Sequence, residues 1–472
     1  MLKICKENKQ SILEKVKNGH LDTASLCSKN LIDEIILAMY TNDILSYICK
    51  SIPDKRAHNK TIPYDIIWAI SIAAKMKIKT SLTDIPYAIN DHRTLAKLGY
   101  TLIDNEKGLN KGLMQEGSLR FLFGKYDPDT LFEGYNLTVQ KYIIPKFEME
   151  PNIHILDCTD LEVNFFNTNY ENAGIACSKR TPYGIKENAR GYKLSTLRGI
   201  VNDGGLIEEI RFGPLNIHDL ALSEEMLQTT SMLKPGDILI NDRGFLSRRI
   251  INYLKTKRKV DTYIPLKQNM EIYKIAIQIA KEQNEWIKHP VNRYRDQKVC
   301  LVKNLGLYWT ENSKPFDNDV EINACVVWDR SEDKYFIFAT TDTSQPAINI
   351  LKIYCLRPEI EEDYRQLKEF WKIEDFKSTK LNIIAFHIVS VLFGYLFFQL
   401  FTMLPDGEQY SGKSLPIILK NFDVKIQGFV VLYVGSECGV ITIFELIELY
   451  ANSNKEVKEK LKPILELSLI HI

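Results

Sequence analysis

Apolar positions lay out the elements before any chemistry is considered. Along 31–47 and 62–76 they recur at helical spacing, and Pro53, Pro63 and Pro86 cut the first 148 residues into short helices. From 152 the period changes to two: NIHILDCTDLEV puts Ile153, Ile155, Asp157, Thr159 and Leu161 on one strand face, with Asp160 and Glu162 on the other. Two alternating runs, 192–201 and 206–212, flank Asn202-Asp203-Gly204-Gly205, a strong hairpin signal. A helix is predicted over 219–233, ended by Pro235-Gly236. The short strand 237–241 follows, with Ile238 and Ile240 in line with Asp242; then come a helix over 246–257 and a strand over 260–266. The segments 298–307, 320–328 and 334–340 alternate between turn-like stretches, which predicts a β-rich insertion over 270–345.

The stretch 354–368, YCLRPEIEEDYRQLK, carries the densest charge pattern. A regular helix would gather Tyr354, Arg357, Glu361, Arg365 and Lys368 within an arc of roughly 80°. Ile353, Leu356, Ile360 and Leu367 would form an apolar stripe beside it. Pro358 fits only the first turn of a helix, so the helix starts near Leu356 or Arg357. Two readings follow. A carboxylate among cations can hold a metal through Glu361 and phosphates through Tyr354, Arg357 and Lys368. The same residues can equally form a solvated face with ion pairs such as Glu361 with Arg365.

The two aspartates upstream have similar ambiguity. Asp157 sits on an apolar strand face, a costly place for an unpaired carboxylate, yet an aspartate there can also simply turn the chain. Asp242 stands where a buried row meets a loop. The order of strand, hairpin pair, helix, strand, helix, strand and later a carboxylate-bearing helix is that of an RNase H-like α/β fold. In that fold adjacent central strands present acids to a shared metal site.

Composition narrows the class. With 472 residues, 45% hydrophobic and 26% charged, the chain is globular and long enough for several units. The net charge of +1 gives no global sign of a polyanion partner, but basic residues cluster at 179–198 and 248–259. Nine scattered cysteines without a C-x2-C pair argue against a disulfide framework or structural zinc, and point to a reducing cytoplasm. The uncharged run 383–401 approaches membrane-spanning length but reads as a helix buried on all sides. Within 81–100, a candidate helix-turn-helix offers Arg93 and Lys97 to phosphates. In the insertion, Arg293, Arg295, Lys298 and Lys303 suit a bound strand, and Trp286 or Trp309 a stacked base.

The spacing Y-x2-R-x3-E-x6-K, met by Tyr354, Arg357, Glu361 and Lys368, resembles the YREK signature of cut-and-paste DDE transposases from bacterial insertion sequences. Ile360, Tyr364 and Arg365 fit the family's I-E-x2-aromatic-basic run, while Pro358 stands where the family usually has Trp. Asp157-Cys158-Thr159 and Asp242-Arg243-Gly244-Phe245 look like its first and second motifs. The resemblance implies Asp157, Asp242 and Glu361 as catalytic acids and ligands of two Mg²⁺ ions, with Mn²⁺ as a substitute. It also implies DNA or phosphate contacts by Tyr354, Arg357, Arg365, Lys368 and Arg243. The partners would be transposon inverted-repeat ends and target DNA, bound by a homodimer in a synaptic complex at the nucleoid, with no membrane involved.

The resulting domain expectation is a helical, end-binding N-terminal domain at 1–148 and an RNase H-like domain at 149–269 and 346–404. The β-rich insertion lies between these two parts, and a mainly helical tail occupies 405–472. The rival functions are an RNase H-like nuclease without strand transfer and a non-catalytic, transposase-derived DNA-binding protein.

Overall fold

A computed structural model describes the chain except residues 1, 28–29, 59–61, 90, 103–113, 181–185, 202–203, 292–293, 295, 312–313, 316–319, 416, 419–427 and 470–472. It divides into two compact units: Met1–Thr138 with Gln366–Ile472, and Val139–Arg365.

The second unit is built on one ten-stranded sheet. Its elements are β1 (Ile153–Val163), β2 (Gly174–Arg180), β3 (Lys186–Val201), β4 (Gly204–Pro214), α1 (Asp219–Thr229), β5 (Ile238–Asn241), α2 (Arg248–Tyr253), β6 (Asp261–Pro265) and α3 (Glu271–Gln283). There follow β7 (Ile287–Lys288), β8 (Gln297–Val302), β9 (Asn323–Asp329), β10 (Lys334–Thr340), α4 (Ala347–Tyr354) and α5 (Pro358–Glu369), the last turn of α5 being counted with the first unit.

The strand order is β7-β8-β9-β10-β6-β5-β1-β3-β2. β4 shares with β2 the edge of β3 that β1 does not use: β2 pairs with Lys186–Gly191 and β4 with Tyr192–Val201. The pairs β1·β5 and β5·β6 are parallel, so the carboxyl ends of three successive strands lie on the same side of the sheet, where sites form in open α/β folds. The predicted strands and helices at 152–266 are present, with β3 starting six residues early at Lys186, α1 stopping at Thr229 and α2 at Tyr253, while β2 falls where no strand was expected. The hairpin residues Asn202 and Asp203 lie outside the described residues.

The insertion differs from expectation in two ways. It opens with the 13-residue helix α3, whose Ile272, Tyr273, Ala276 and Ala280 form a buried stripe at helical spacing. Its strands β8, β9 and β10 do not form a sheet of their own; β10 pairs with β6 and carries the central sheet outward.

In the first unit, α6 (Leu381–Met403) has 89% of its most apolar window buried. It packs on the helices Leu31–Thr41, Tyr64–Met76 and Pro128–Thr138. Trp68, Phe123, Phe386 and Phe393 interlock there, Phe123 and Phe386 stacking at 3.5 Å. An apolar helix without a polar face belongs in such a core.

The ends of the chain overturn the expectation of separate helical domains. β11 (Phe429–Val434) and β12 (Glu437–Thr442) form a hairpin that Thr23–Cys27 and Lys6–Glu7 extend into a four-stranded sheet. Val430, Leu432 and Ile441 pack against Ile12, Val16, Leu446, Val457 and Leu461. The expected tail helices are there, at Ile443–Asn452, fixed by a Thr442/Glu445 capping box, and at Lys455–Leu469.

The helix-turn-helix expectation also fails. His92–Lys97 is a six-residue helix whose Arg93 is 8% exposed, paired with Glu34 and laid over the Phe429 ring at 4.5 Å. Lys97 faces Glu7 at 4.0 Å. Arg93 thus joins packed elements and is not presented to phosphates.

Candidate active site

Parallel pairing of β1 with β5 brings two acids to one level. The last paired residues are Leu156 and Asn241, and the next residue on each strand is an aspartate, Asp157 and Asp242. Asp157 falls mid-strand, where β3 still pairs with β1 on its other side. Asp242 lies just past β5, at the start of a single 3-10 turn, Arg243–Phe245.

The chain turns between α4 and α5. Tyr354 is the last residue of α4, and Pro358 opens α5 as its imposed backbone angle predicts. The single ridge expected over 354–368 is therefore broken, and Tyr354 belongs to the preceding helix, its ring against Phe338 at 4.6 Å. Arg357, in the turn, reaches all three acids. It donates to Asp157 Oδ2 at 2.9 Å and to Glu361 Oε1 at 2.5 Å, and its Nε lies 3.9 Å from Asp242 Oδ1. Its side chain is 18% exposed, against 13%, 32% and 54% for Asp157, Asp242 and Glu361, so the cluster grades from the sheet outward to solvent.

α5 is held to the sheet by buried polar contacts. The Tyr364 hydroxyl donates to the Asp157 carbonyl at 2.7 Å and accepts from Thr196 Oγ1 at 2.7 Å. Burial keeps that phenol far from ionising, so it remains a donor. Arg198, on β3, joins Asp363 at 2.8 Å and Glu359 at 2.7 Å. The helix bearing Glu361 is thereby referenced to the strand bearing Asp157.

The electrostatics carry excess negative charge. Three carboxylates share one guanidinium, and Asp157 is pushed up to about 6, first by burial and further by Asp242 and Glu361; Arg357 and the Cys158 N–H act against this. Burial is the larger cause, ahead of repulsion among the three acids. Burial disfavours the charged Arg357, but Asp157, Asp242 and Glu361 outweigh it and raise its pKa.

The donor chemistry fits a divalent cation: carboxylate oxygens are hard ligands, and their charge exceeds what Arg357 neutralises. Among the described residues no three metal-binding side chains close on one point as they stand. Arg357 sits where the carboxylates converge, and its Nε is buried without a hydrogen-bond partner.

The remaining expected residues separate into two groups. Arg243 is exposed and lines a basin of about 450 Å³ beside Asp242, with Gly244, Lys267, Gln268 and Asn269. Arg365 pairs with Glu362 at 2.6 Å, not with Glu361, and Lys368 with Glu374 at 3.0 Å, so neither belongs to the carboxylate group.

Several residues of the basic clusters are structural: Arg248 caps the carbonyls of Gly306 and Trp309, Arg258 those of Gln228, Thr230 and Leu233, and Lys193 meets Asp219 at 2.6 Å. Trp309 is core, and Trp286 packs on Trp328 at 5.5 Å. Arg293 and Arg295, like the side chains of Lys179, Arg180 and Lys186, lie outside the described residues. Lys267 was not singled out from sequence. The available signal was its place after an apolar strand parallel to β5, since Tyr263 pairs with Ile240.

Set against known protein families, residues 150–397 match the transposase DDE domain. No curated protein matches the chain.

Proposed function

Because the chain belongs to the transposase DDE domain family, and so is an enzyme acting on DNA, we propose that it cuts DNA at transposon ends and joins those ends to target DNA with the aid of two divalent ions. The reading rests on one observation: acids from β1, β5 and α5, spread over just more than two hundred residues, converge on Arg357. Asp157, Asp242 and Glu361 would hold the metal, Mg²⁺ or Mn²⁺. When bound, divalent ions lower the pKa of an attacking water or 3′-hydroxyl and stabilise the leaving oxygen of an in-line displacement.

The protein's own groups supply position and charge. Arg243 and Lys267 line the basin beside Asp242 and suit the phosphodiester on either side of the scissile bond. Arg357, whose planar guanidinium now bridges these carboxylates, would engage a phosphate bidentately. Tyr354 and Lys368 would contact phosphates further along the strand, and Arg365 adds charge on the exposed face of α5. Cleavage in a synaptic homodimer, in the cytoplasm at the nucleoid, completes the proposal.

The test uses duplexes made from the DNA on either side of the gene. Asp242→Asn and Glu361→Gln should each abolish Mg²⁺-dependent nicking while leaving DNA binding intact; parallel loss of binding would refute these roles. Precut ends offered with target DNA separate a transposase, which joins them, from a nuclease, which does not.

A further inference from the structure

The first unit contains a second polar recess, built by residues that the carboxylate chemistry does not use. Lys75, at the end of the helix Tyr64–Met76, is 1% exposed. Its ammonium donates to the carbonyls of Thr80 at 2.9 Å and Lys79 at 3.4 Å, which leaves one of its three hydrogens over. His387, in the second turn of α6, is 5% exposed. Its Nε2 donates to the Lys372 carbonyl at 3.2 Å, while Nδ1 is buried with no hydrogen-bond partner. Both side chains line the same recess, with Arg120 and Lys377 at its rim and Thr80, Ser81 and Ser378 between.

The charge in this recess is unbalanced. Arg120 is neutralised by Glu116 and Lys377 by Asp375, each at 2.5 Å, but Lys75 has only carbonyl oxygens. Burial drives Lys75 down to about 7 even though Asp84 and Asp375 pull it up. Ile383 and Ile384 of the recess wall belong to the first turn of α6, a 23-residue helix whose positive end adds to the field. A buried ammonium and a long helix's N-terminus facing one space form a receptor for negative charge, while Nδ1, an acceptor as long as Nε2 carries the ring hydrogen, lacks a donor.

We propose that this recess binds a phosphate group, with Lys75 and His387 at its floor and Arg120 and Lys377 at its rim. Its volume of about 30 Å³ holds about two waters at the roughly 10–15 Å³ each needs, so it admits the leading oxygens of a phosphate group seated at its mouth and excludes a sugar or base. The oxyanion supplies what each floor group lacks. Its oxygens accept the remaining Lys75 hydrogen, and at Nδ1 it brings either a P–OH hydrogen or the charge that lets the imidazole take up a second proton. The group has two possible sources, a DNA backbone phosphodiester or free inorganic phosphate.

The test uses the full-length chain without divalent metal, so that its outcome does not depend on the carboxylates. Binding of inorganic phosphate at low ionic strength is followed by ³¹P line broadening in wild type, Lys75→Met and Arg120→Gln. Lys75→Met should weaken binding at least about tenfold, equivalent to about 1.4 kcal/mol, and Arg120→Gln severalfold. Arg120 has an exposed side chain, so its variant keeps the comparison valid if Lys75→Met fails to fold. Absence of phosphate binding by wild type, or equal binding by folded variants, overturns the proposal and leaves a hydrated recess. In a second arm, a mixed-sequence duplex is added. Displacement of phosphate that depends on Lys75 assigns the site to the DNA backbone, and undisturbed phosphate assigns it to a free anion.

Discussion

Tyr364→Phe removes a single oxygen and tests whether α5 is registered against β1 as described. The Tyr364 ring is 7% exposed and its hydroxyl makes two hydrogen bonds of 2.7 Å, to the Asp157 carbonyl and from Thr196 Oγ1. Each bond contributes about 1 kcal/mol net, and leaving a buried partner unsatisfied costs about 1–3 kcal/mol. Thr196 is fully buried, so the substitution should cost about 2 kcal/mol.

Hydrogen exchange reads that cost where it occurs. Amides of β1 that exchange through opening of this contact should speed up by about thirtyfold, at 1.4 kcal/mol per decade, while those of β11 and β12 should not change. Thr196→Val should give a similar local effect, and the double variant should fall short of the sum by about 1 kcal/mol, because both substitutions delete the same bond. Strict additivity, or exchange in β1 unchanged by either substitution, would refute the claim that the hydroxyl couples helix to strand.

Two further outcomes follow from other buried contacts. His154 lies between Glu208 at 2.7 Å and Asp237 at 3.2 Å. Burial disfavours its charge, yet those hydrogen bonds hold it at about 9. Its folded pKa is raised above the unfolded value of about 6.5, so its stabilisation is complete below pH 6.5 and lost as pH rises towards 9. The ceiling is about 3 kcal/mol at 1.36 kcal/mol per unit, since buried Glu208, itself pushed up, shares the proton. The urea midpoint of the second unit should fall across that window in wild type and less in His154→Gln; a flat wild-type profile would contradict the assignment.

In the first unit, a Cβ at Gly394 would lie 2.9 Å from the Trp371 ring and 3.4 Å from Met76. Gly394→Val should therefore lower the melting temperature of that unit through overpacking of about 1–3 kcal/mol; an unchanged melt would show a looser core than described.

The second unit was largely legible from sequence because its signals are local. Period-two alternation marked β1, β3 and β4, the apolar run before Asp242 marked β5, and Pro358 marked the start of α5. Asp157 and Asp242 could be paired because successive parallel strands present equivalent ends. Arg357 as a bridge among three acids was not legible. The turn at 355–357 aims it at Asp157, some two hundred residues away, and helical periodicity does not encode such a turn. The extended sheet was missed because alternation within β8, β9 and β10 does not say that β10 will pair with β6. The same blindness hid the four-stranded sheet, in which Leu26 meets Val430 across four hundred residues. Arg93 was misassigned for a related reason: only the Glu34 carboxylate and Phe429 ring reveal that its charge is spent inside the protein.

That four-stranded sheet sets a timetable for the nascent polypeptide. Thr23–Cys27 leaves the ribosome early, yet its partner β11 begins at Phe429, so the edge waits unpaired while roughly four hundred residues are translated. The segment that carries the acids has every one of its strands in hand by Thr340 and can fold during that delay. A message cut short before Phe429 would therefore release a chain with a completed central sheet but two orphan strand edges near its start, a species prone to sticking to its neighbours.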